Sequence, residues 1–548
     1  MPLNVPGLVA VIVFYGFTLA TGLWAAWKAK KEKRGGNQTE VAIVGGRNMN
    51  FFVGLFTTVA TWVGGAYING TAEIVYLPSR GLAWVHAPLG FSLAFIIGGL
   101  FFIKPMRSKK YVTMMDPLQE TYGNTMGSIL FIPPLLGDIF WFASILASLG
   151  ATVSVILDVT GFVSIIVSAC TVIVYTLLGG LYSVAYTDVI QLIFMLISLC
   201  TCAPFALMNP ATTNIAYTAV HELYQAPWIG KIETEYLARW VDDLIFLALG
   251  SIAWQVYFQR VLAASSTSQA RLISYIAGFI CAFMAVPSLL IGAAAASTDW
   301  NQTTYGLPSP AERGESSMIL AIVLQYLCPT YVSIAGLGAV AAAVMSSADS
   351  SLLSSSSMFA HNIYKKMLRK QASEKEILWI MRISMVVFGS AATGMAFVSR
   401  SIYDLWFLAG ELVYAVLFPQ LCCVLFIPGT NTYGSAAGFL FGFILRLLAG
   451  ENSLRIPPII HYPGCRLVDG AYVQLFPFKT FTMLCTLASI ILVSYLTEIL
   501  LRKNIVSTKW DVCNVVRKSH APLACPRTEE PTDHQVNEML MHSIEGHT

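Results

Sequence analysis

Two stretches of this sequence carry oxygen and aromatic groups inside apolar runs. One is Thr58-Val59-Ala60-Thr61-Trp62-Val63-Gly64-Gly65-Ala66-Tyr67; the other runs from Ala341 to Ser351, with Ser346, Ser347 and Asp349 at its centre and Ser354 to Ser357 beyond. Hydroxyls and carbonyls are hard donors, and a small cation stripped of water in lipid needs several of them. Ser346 and Ser347 are adjacent, so they point about 100° apart on a helix. Both reach one ion only if it sits against their helix edge. Adjacent glycines each weaken a helix by about 1 kcal/mol relative to alanine, which predicts a break at Gly64-Gly65. Backbone freed there is tolerated in lipid only where it is buried in protein or lines a cavity, and it could supply further ligands. The plain alternatives are serines bonded to their own helix carbonyls and a close helix crossing through small residues.

Tryptophan is the next signal. Trp62, Trp141, Trp254 and Trp406 lie on different apolar runs, whereas Trp27, Trp84, Trp240 and Trp379 fit the interfacial belt. Converging ring faces would make a cage for a quaternary ammonium, which is held by cation–π attraction; ordinary packing is the alternative. Asp138, Asp188, Asp242, Asp243 and Glu411 also lie in or beside these runs. A charge at the bilayer centre costs about 2.5–3.5 kcal/mol, so each is expected to face a cavity or a partner. Asp188 follows Gly179-Gly180-Leu181-Tyr182, and a helix cap is its plain alternative.

These residues must be positioned by membrane helices. The chain has 548 residues, 56% hydrophobic and 11% charged, with a mean hydropathy of +0.66, against about a quarter charged in a globular chain. Spans need about 20 apolar residues, and on that measure about thirteen are expected, at 6–27, 49–76, 82–103, 127–157, 159–178, 188–208, 238–259, 272–296, 331–363, 379–399, 403–427, 433–450 and 479–501. The fold class is an all-α polytopic membrane protein: a transmembrane domain over 1–501 and a polar, proline-containing cytoplasmic tail over 502–548 that reads as disordered. Basic residues set the orientation. Lys28 to Arg34, Lys104 to Lys110, Arg260 with Arg271, and Lys365 to Lys370 fall in loops on one side, which places the N-terminus outside and the tail inside. Asn301-Gln302-Thr303 is then an external glycosylation sequon, Asn37-Gln38-Thr39 an internal one, and Asn69-Gly70-Thr71 is hidden in the membrane. The eleven cysteines show no metal-ligand spacing, and the loops show no nucleophile–base set, so neither an enzyme nor a resident cofactor is expected. Nor does the net charge of +3 suggest a nucleic-acid partner.

The text Ala60-Thr61-Trp62-Val63-Gly64-Gly65, Tyr67-Ile68-Asn69-Gly70-Thr71-Ala72-Glu73, Gly179 to Asp188, Trp254-Gln255, Tyr257 to Val261, Ser297 to Thr303 and Met345 to Ser351 resembles the sodium/solute symporter family, most closely its choline-transporting members. That resemblance covers the chain to about residue 500. It implies an inverted repeat of two five-helix halves entered by the broken helix, working by alternating access. It implies a sodium site of backbone carbonyls at Ala60, Val63 and Ala343 with hydroxyls at Ser346 and Ser347, a coupling role for Asp188, to which Asp349 adds a charge at similar depth, and a substrate cage of Trp62, Phe91, Trp141, Trp254 and Trp406. It further implies plasma-membrane choline uptake with sodium, chloride dependence and block by hemicholinium-type bis-cations, with presynaptic or vesicular residence and self-association left open. Phe91 stands where those members carry tyrosine, Ala66 replaces a third glycine and Glu411 replaces aspartate. A sodium symporter for another small solute, a cation channel and a sensor are the competing functions.

Overall fold

The computed structural model describes residues 5–32, 38–157, 161–177, 180–397, 402–451, 456–468, 471–503, 505–506, 511 and 513. Asn37, Arg34, Gly179 and most of the tail lie outside them. The unit formed by Met1–Ser494 holds the core. A helix occupies each of the thirteen apolar runs. Among the described residues, nine helices are by themselves long and apolar enough to cross a membrane, and the bent pair Phe51–Trp62 and Gly65–Tyr76 makes ten, so thirteen spans are not reached by that measure.

Two halves of five helical segments make up the core, over 51–207 and 237–426, and each half opens on a broken helix. Because five crossings are an odd number, the second half starts from the opposite side of the membrane, which inverts it relative to the first. The first broken helix is capped by Asn50, whose Oδ1 accepts from Phe52 N at 2.9 Å. It bends by 47° between Phe51–Trp62 and Gly65–Tyr76. The second is Leu237–Gly250 and Gln255–Ala263, interrupted at Ser251 to Trp254. The expected run at 238–259 therefore hides a break and continues to Ala263. Packed against the first broken helix are Leu181–Leu207, Thr267–Met284 and Val286–Ala296, while Ile132–Leu157 lies between Thr330–Met358 and Ile402–Leu412.

The loops sort into two ends. At one, Leu82 N bonds Trp228 O, Thr213 N bonds Ser297 O, and Arg466 pairs with Glu235 at 2.8 Å, beside the short antiparallel ribbon Arg466–Val468 and Ala471–Val473. Exposed Asn301 belongs to this end, on a turn whose Asp299 Oδ1 accepts from Asn301 N at 3.1 Å. A cleft of about 480 Å³ opens here among Arg80, Asp243, Asp404, Glu411 and Lys479.

The other end carries Lys104, Lys109, Lys365 and Lys366 and is closed by a hydrogen-bonded plug. Fully buried Asn362 donates to Asp116 and to Gln119, both at 2.8 Å, and accepts from Thr113 at 2.7 Å. Asp116 also accepts from Lys366 Nζ at 2.6 Å and from the backbone N–H of Val112 at 2.7 Å. Burial alone would raise the Asp116 carboxyl; the bonds and charges of His361 and Lys366 outweigh it and hold that group well below the usual carboxylate range.

Candidate functional site

The site begins with the Gly64-Gly65 break. Val63 leaves helical geometry at φ −87°, ψ 66°, and Gly64 is extended at φ −110°, ψ −163°. Both expected meanings of these glycines hold together. A Cβ on Gly64 would stand 1.4 Å from Ser347 Oγ, and one on Gly65 would stand 2.2 Å from Val344 Cγ2. The break exists, and it is also where the serine-rich helix Thr330–Met358 makes its close approach.

On one flank lies a corner of oxygens. Ser346 Oγ is 3.5 Å from the Ala60 carbonyl, and Ser347 Oγ donates to the Thr61 carbonyl at 3.2 Å. The Ala343 carbonyl faces Gly64, 3.5 Å from where a Cβ would sit; Val63 is buried at the turn between them. The two serine hydroxyls thus sit against the broken helix rather than serving only their own carbonyls. Ser346 also donates to Asp188. Asp188 accepts from Thr57 Oγ1 at 2.5 Å and lies 3.9 Å from Arg260 Nη2, which donates to Ser350 Oγ at 2.5 Å.

Two expectations are corrected here. Asp188 is not a cap: its helix starts at Leu181, seven residues before the expected start of the run, so the carboxylate projects from the helix interior and is fully buried. Arg260 is not a loop cation: the second broken helix resumes after its interruption and carries Arg260 inside the protein at 1% exposure. Asp349 is buried one turn beyond Ser346 and accepts from Thr176 at 3.2 Å, so that bond turns it toward Gly161–Thr176. Thr57 and Arg260 are corner residues that sequence reasoning missed, the signal for Arg260 being a basic residue read as loop charge; Ser350 lies in the serine-rich stretch already singled out.

On the other flank the rings converge. Trp62 lies 4.7 Å from Phe91, 6.3 Å from Trp141 and 6.4 Å from Trp254 between ring centres. Trp141 meets Trp254 edge-on at 5.3 Å, and Phe91 meets Trp406 at 5.4 Å. Each tryptophan comes from a separate helix, and Trp254 stands at the second break in extended geometry, φ −114° and ψ 135°. Tyr67 joins the set, stacked on Phe91 at 6.0 Å with its hydroxyl donating to the Cys281 carbonyl at 2.8 Å. No expectation named Tyr67 as a ring partner. The rings enclose about 20 Å³, whereas a small-molecule site takes roughly 300–1,000 Å³. The ring cluster is closed, with room for a small molecule only if the rings part.

Asp138, Asp242, Asp243 and Glu411, the other acids expected in or beside spans, are each hydrogen-bonded. Asp138 accepts from Ser354 at 2.9 Å, Asp243 from Lys479 at 2.7 Å, and Asp242 from the Lys479 and Thr480 backbone N–H groups at 3.0 and 2.8 Å. Glu411 bonds Lys479 at 2.5 Å and Arg446. Asn69 is buried and donates to Ser148 at 2.6 Å, as a hidden sequon requires.

Similar proteins share this framework. The profile of the sodium:solute symporter family matches residues 43–442. The high affinity choline transporter 1 of Homo sapiens is 54% identical over 95% of this chain and 90% of its own length; that of Rattus norvegicus is 55% identical over the same shares. The sodium/proline symporter of Haemophilus influenzae is 25% identical over 73% of this chain and 81% of its own. A solved structure, the substrate-bound outward-open state of a sodium-coupled sialic acid symporter, shares the fold at TM-score 0.68 and 15% identity, covering 90% of this chain and 97% of that one.

Proposed function

Because the chain belongs to the sodium:solute symporter family, we propose that it carries choline into the cell together with sodium, by alternating access around the Gly64 break. The observation that supports this reading most is the meeting of Trp62, Trp141, Trp254 and Trp406, from four helices, beside an oxygen corner on the same break. Choline's ammonium has no N–H to donate, so aromatic faces and desolvation recognise it, at about 2 kcal/mol or more per buried cation–π contact.

Sodium is held by the Ala60, Val63 and Ala343 carbonyls with Ser346 and Ser347, and Asp188 supplies the negative charge next to them. In this reading the ion fixes the angle of the broken helix, and that angle sets the Trp62 ring. Each inward charge gains about 2.3 kcal/mol per 100 mV, so sodium and choline are driven the same way. The protein sits in the plasma membrane with the Asn301 end outside and the basic end and tail inside, Asn301 carries the glycan, and uptake depends on chloride.

The test is labelled choline uptake by cells expressing the chain. Replacing sodium abolishes uptake, uncharged choline analogues fail to compete, and Ser346→Ala weakens apparent sodium affinity about 5–30-fold, a loss of about 1–2 kcal/mol, at unchanged surface expression. Uptake that persists without sodium, or equal competition by uncharged analogues, sinks the reading.

A further inference from the structure

The 480 Å³ cleft contains a second place built to hold an ammonium group. Lys479 Nζ is 2.7 Å from Asp243 Oδ1 and 2.5 Å from Glu411 Oε1. The same atom lies over two aromatic faces, 4.9 Å from the Phe246 ring centre and 5.2 Å from that of Phe407. Two carboxylates and two rings around one nitrogen are the features that recognise a small organic cation. All of them but Phe246 line the cleft, while Phe246 lines the small space of the tryptophan cage. The box therefore stands between the cleft and the cage.

Two further groups show what kind of molecule suits it. Tyr403 Oη and His86 Nε2 both belong to cleft-lining residues and are about 97% buried. Neither atom has a hydrogen-bond partner among the described residues. A buried polar atom left unbonded costs about 1–3 kcal/mol; both atoms are sealed from the cleft as it stands, so a ligand hydroxyl would offset that cost only once the side chains turn toward it. Across the whole cleft the lining carries Arg80, Lys231, Arg239 and Lys479 against Glu233, Asp243, Asp404, Glu411 and Glu451, one carboxylate more than there are cations.

We propose that Asp243, Glu411, Phe246 and Phe407 form an outer binding site for a small hydroxylated quaternary ammonium, kept filled by the Lys479 ammonium until the passing cation displaces it. Lys479 makes charge-assisted hydrogen bonds that a quaternary nitrogen cannot make, so it acts as a tethered competitor. Outer binding is thereby kept weak, and the cation moves on to the cage. The choline reading is needed only for the identity of the cation; the box is argued from its own geometry.

The test removes the tether in a background where the cage is disabled. In purified Trp254→Ala/Lys479→Ala protein, tetramethylammonium and choline raise the thermal midpoint, with apparent affinity at least tenfold tighter than in Trp254→Ala alone. Adding Glu411→Gln removes the effect. No shift, or a shift matched by potassium at equal ionic strength, overturns the proposal. If the Lys479→Ala protein is not recovered from cells, its recovery in medium containing tetramethylammonium supports the site. Failure of recovery with either ammonium, while Lys479→Arg is recovered, overturns it as a purely structural ion pair. Failure of the choline reading shows separately, as absence of sodium-driven choline uptake by the unaltered chain.

Discussion

The two ends of the helical core are both charged, yet only one is open. At the Asn301 end, cations and carboxylates are shared across a 480 Å³ cleft, and polar atoms of Tyr403 and His86 stand without hydrogen-bond partners among the described residues. At the basic end, Asp116, Gln119, Asn362 and Thr113 satisfy one another reciprocally. Charge alone therefore does not open an end; reciprocal hydrogen bonding closes one. The cage lies between them with about 20 Å³ inside, so the chain is caught with its path open toward one side only as far as the rings.

The comparison fails most completely if the hinge between the ends is jammed. Gly64→Val forces the broken helix and the serine helix apart, since even a Cβ there meets Ser347 Oγ at 1.4 Å. Choline uptake falls at least about a hundredfold, several kilocalories per mole of misfit, while a surface-biotinylation assay still finds protein. Uptake near the unaltered level would show that the approach is not part of the working cycle.

Loosening the closed end has a smaller effect. Asn362→Ala removes three side-chain hydrogen bonds, worth about 1–3 kcal/mol in total. It shifts the population toward opening at the basic end by about 5–150-fold. A cysteine introduced near Gln119 then reacts faster with a thiol reagent applied to the face that carries Lys365 and Lys366. An unchanged labelling rate would mean that other contacts hold that end shut.

The smallest effect is expected from pH. The Asp116 carboxyl is held below its ordinary range, so its contribution is complete above the unfolded carboxylate value and is lost only as pH falls through the depressed one. The Asp116 carboxyl itself therefore stays ionised between about pH 6 and 8 and gives the labelling rate no carboxylate step there. A rise as the solution at that face is acidified over that interval would show that the plug depends on another titrating group.

Much of the fold was legible because lipid imposes strong rules. Apolar runs located a helix for each expected segment, and the glycine pair at 64–65 located the first break by helix propensity alone. The second break was not legible. Gly250-Ser251-Ile252-Ala253-Trp254 contains one glycine and no proline, and the surroundings of the interruption come from far along the chain: Tyr414 stands 2.8 Å from where a Cβ on Gly250 would sit, and Trp254 meets Trp141 edge-on. Missing that break also left Arg260 in a loop.

Residue type by itself determined that this chain lives in a membrane, that hydroxyls and carbonyls could strip a small cation of water, and that tryptophan could hold an ammonium. Only the tertiary structure decided which of them meet. Ser346 finds Asp188 across 158 positions of sequence, and Trp62, Trp141, Trp254 and Trp406 come together from four helices. Lys479 fills a box built from two other helices. Helix periodicity specifies which face a side chain is on, but the partner opposite that face is set by long-range packing, which no local spacing encodes.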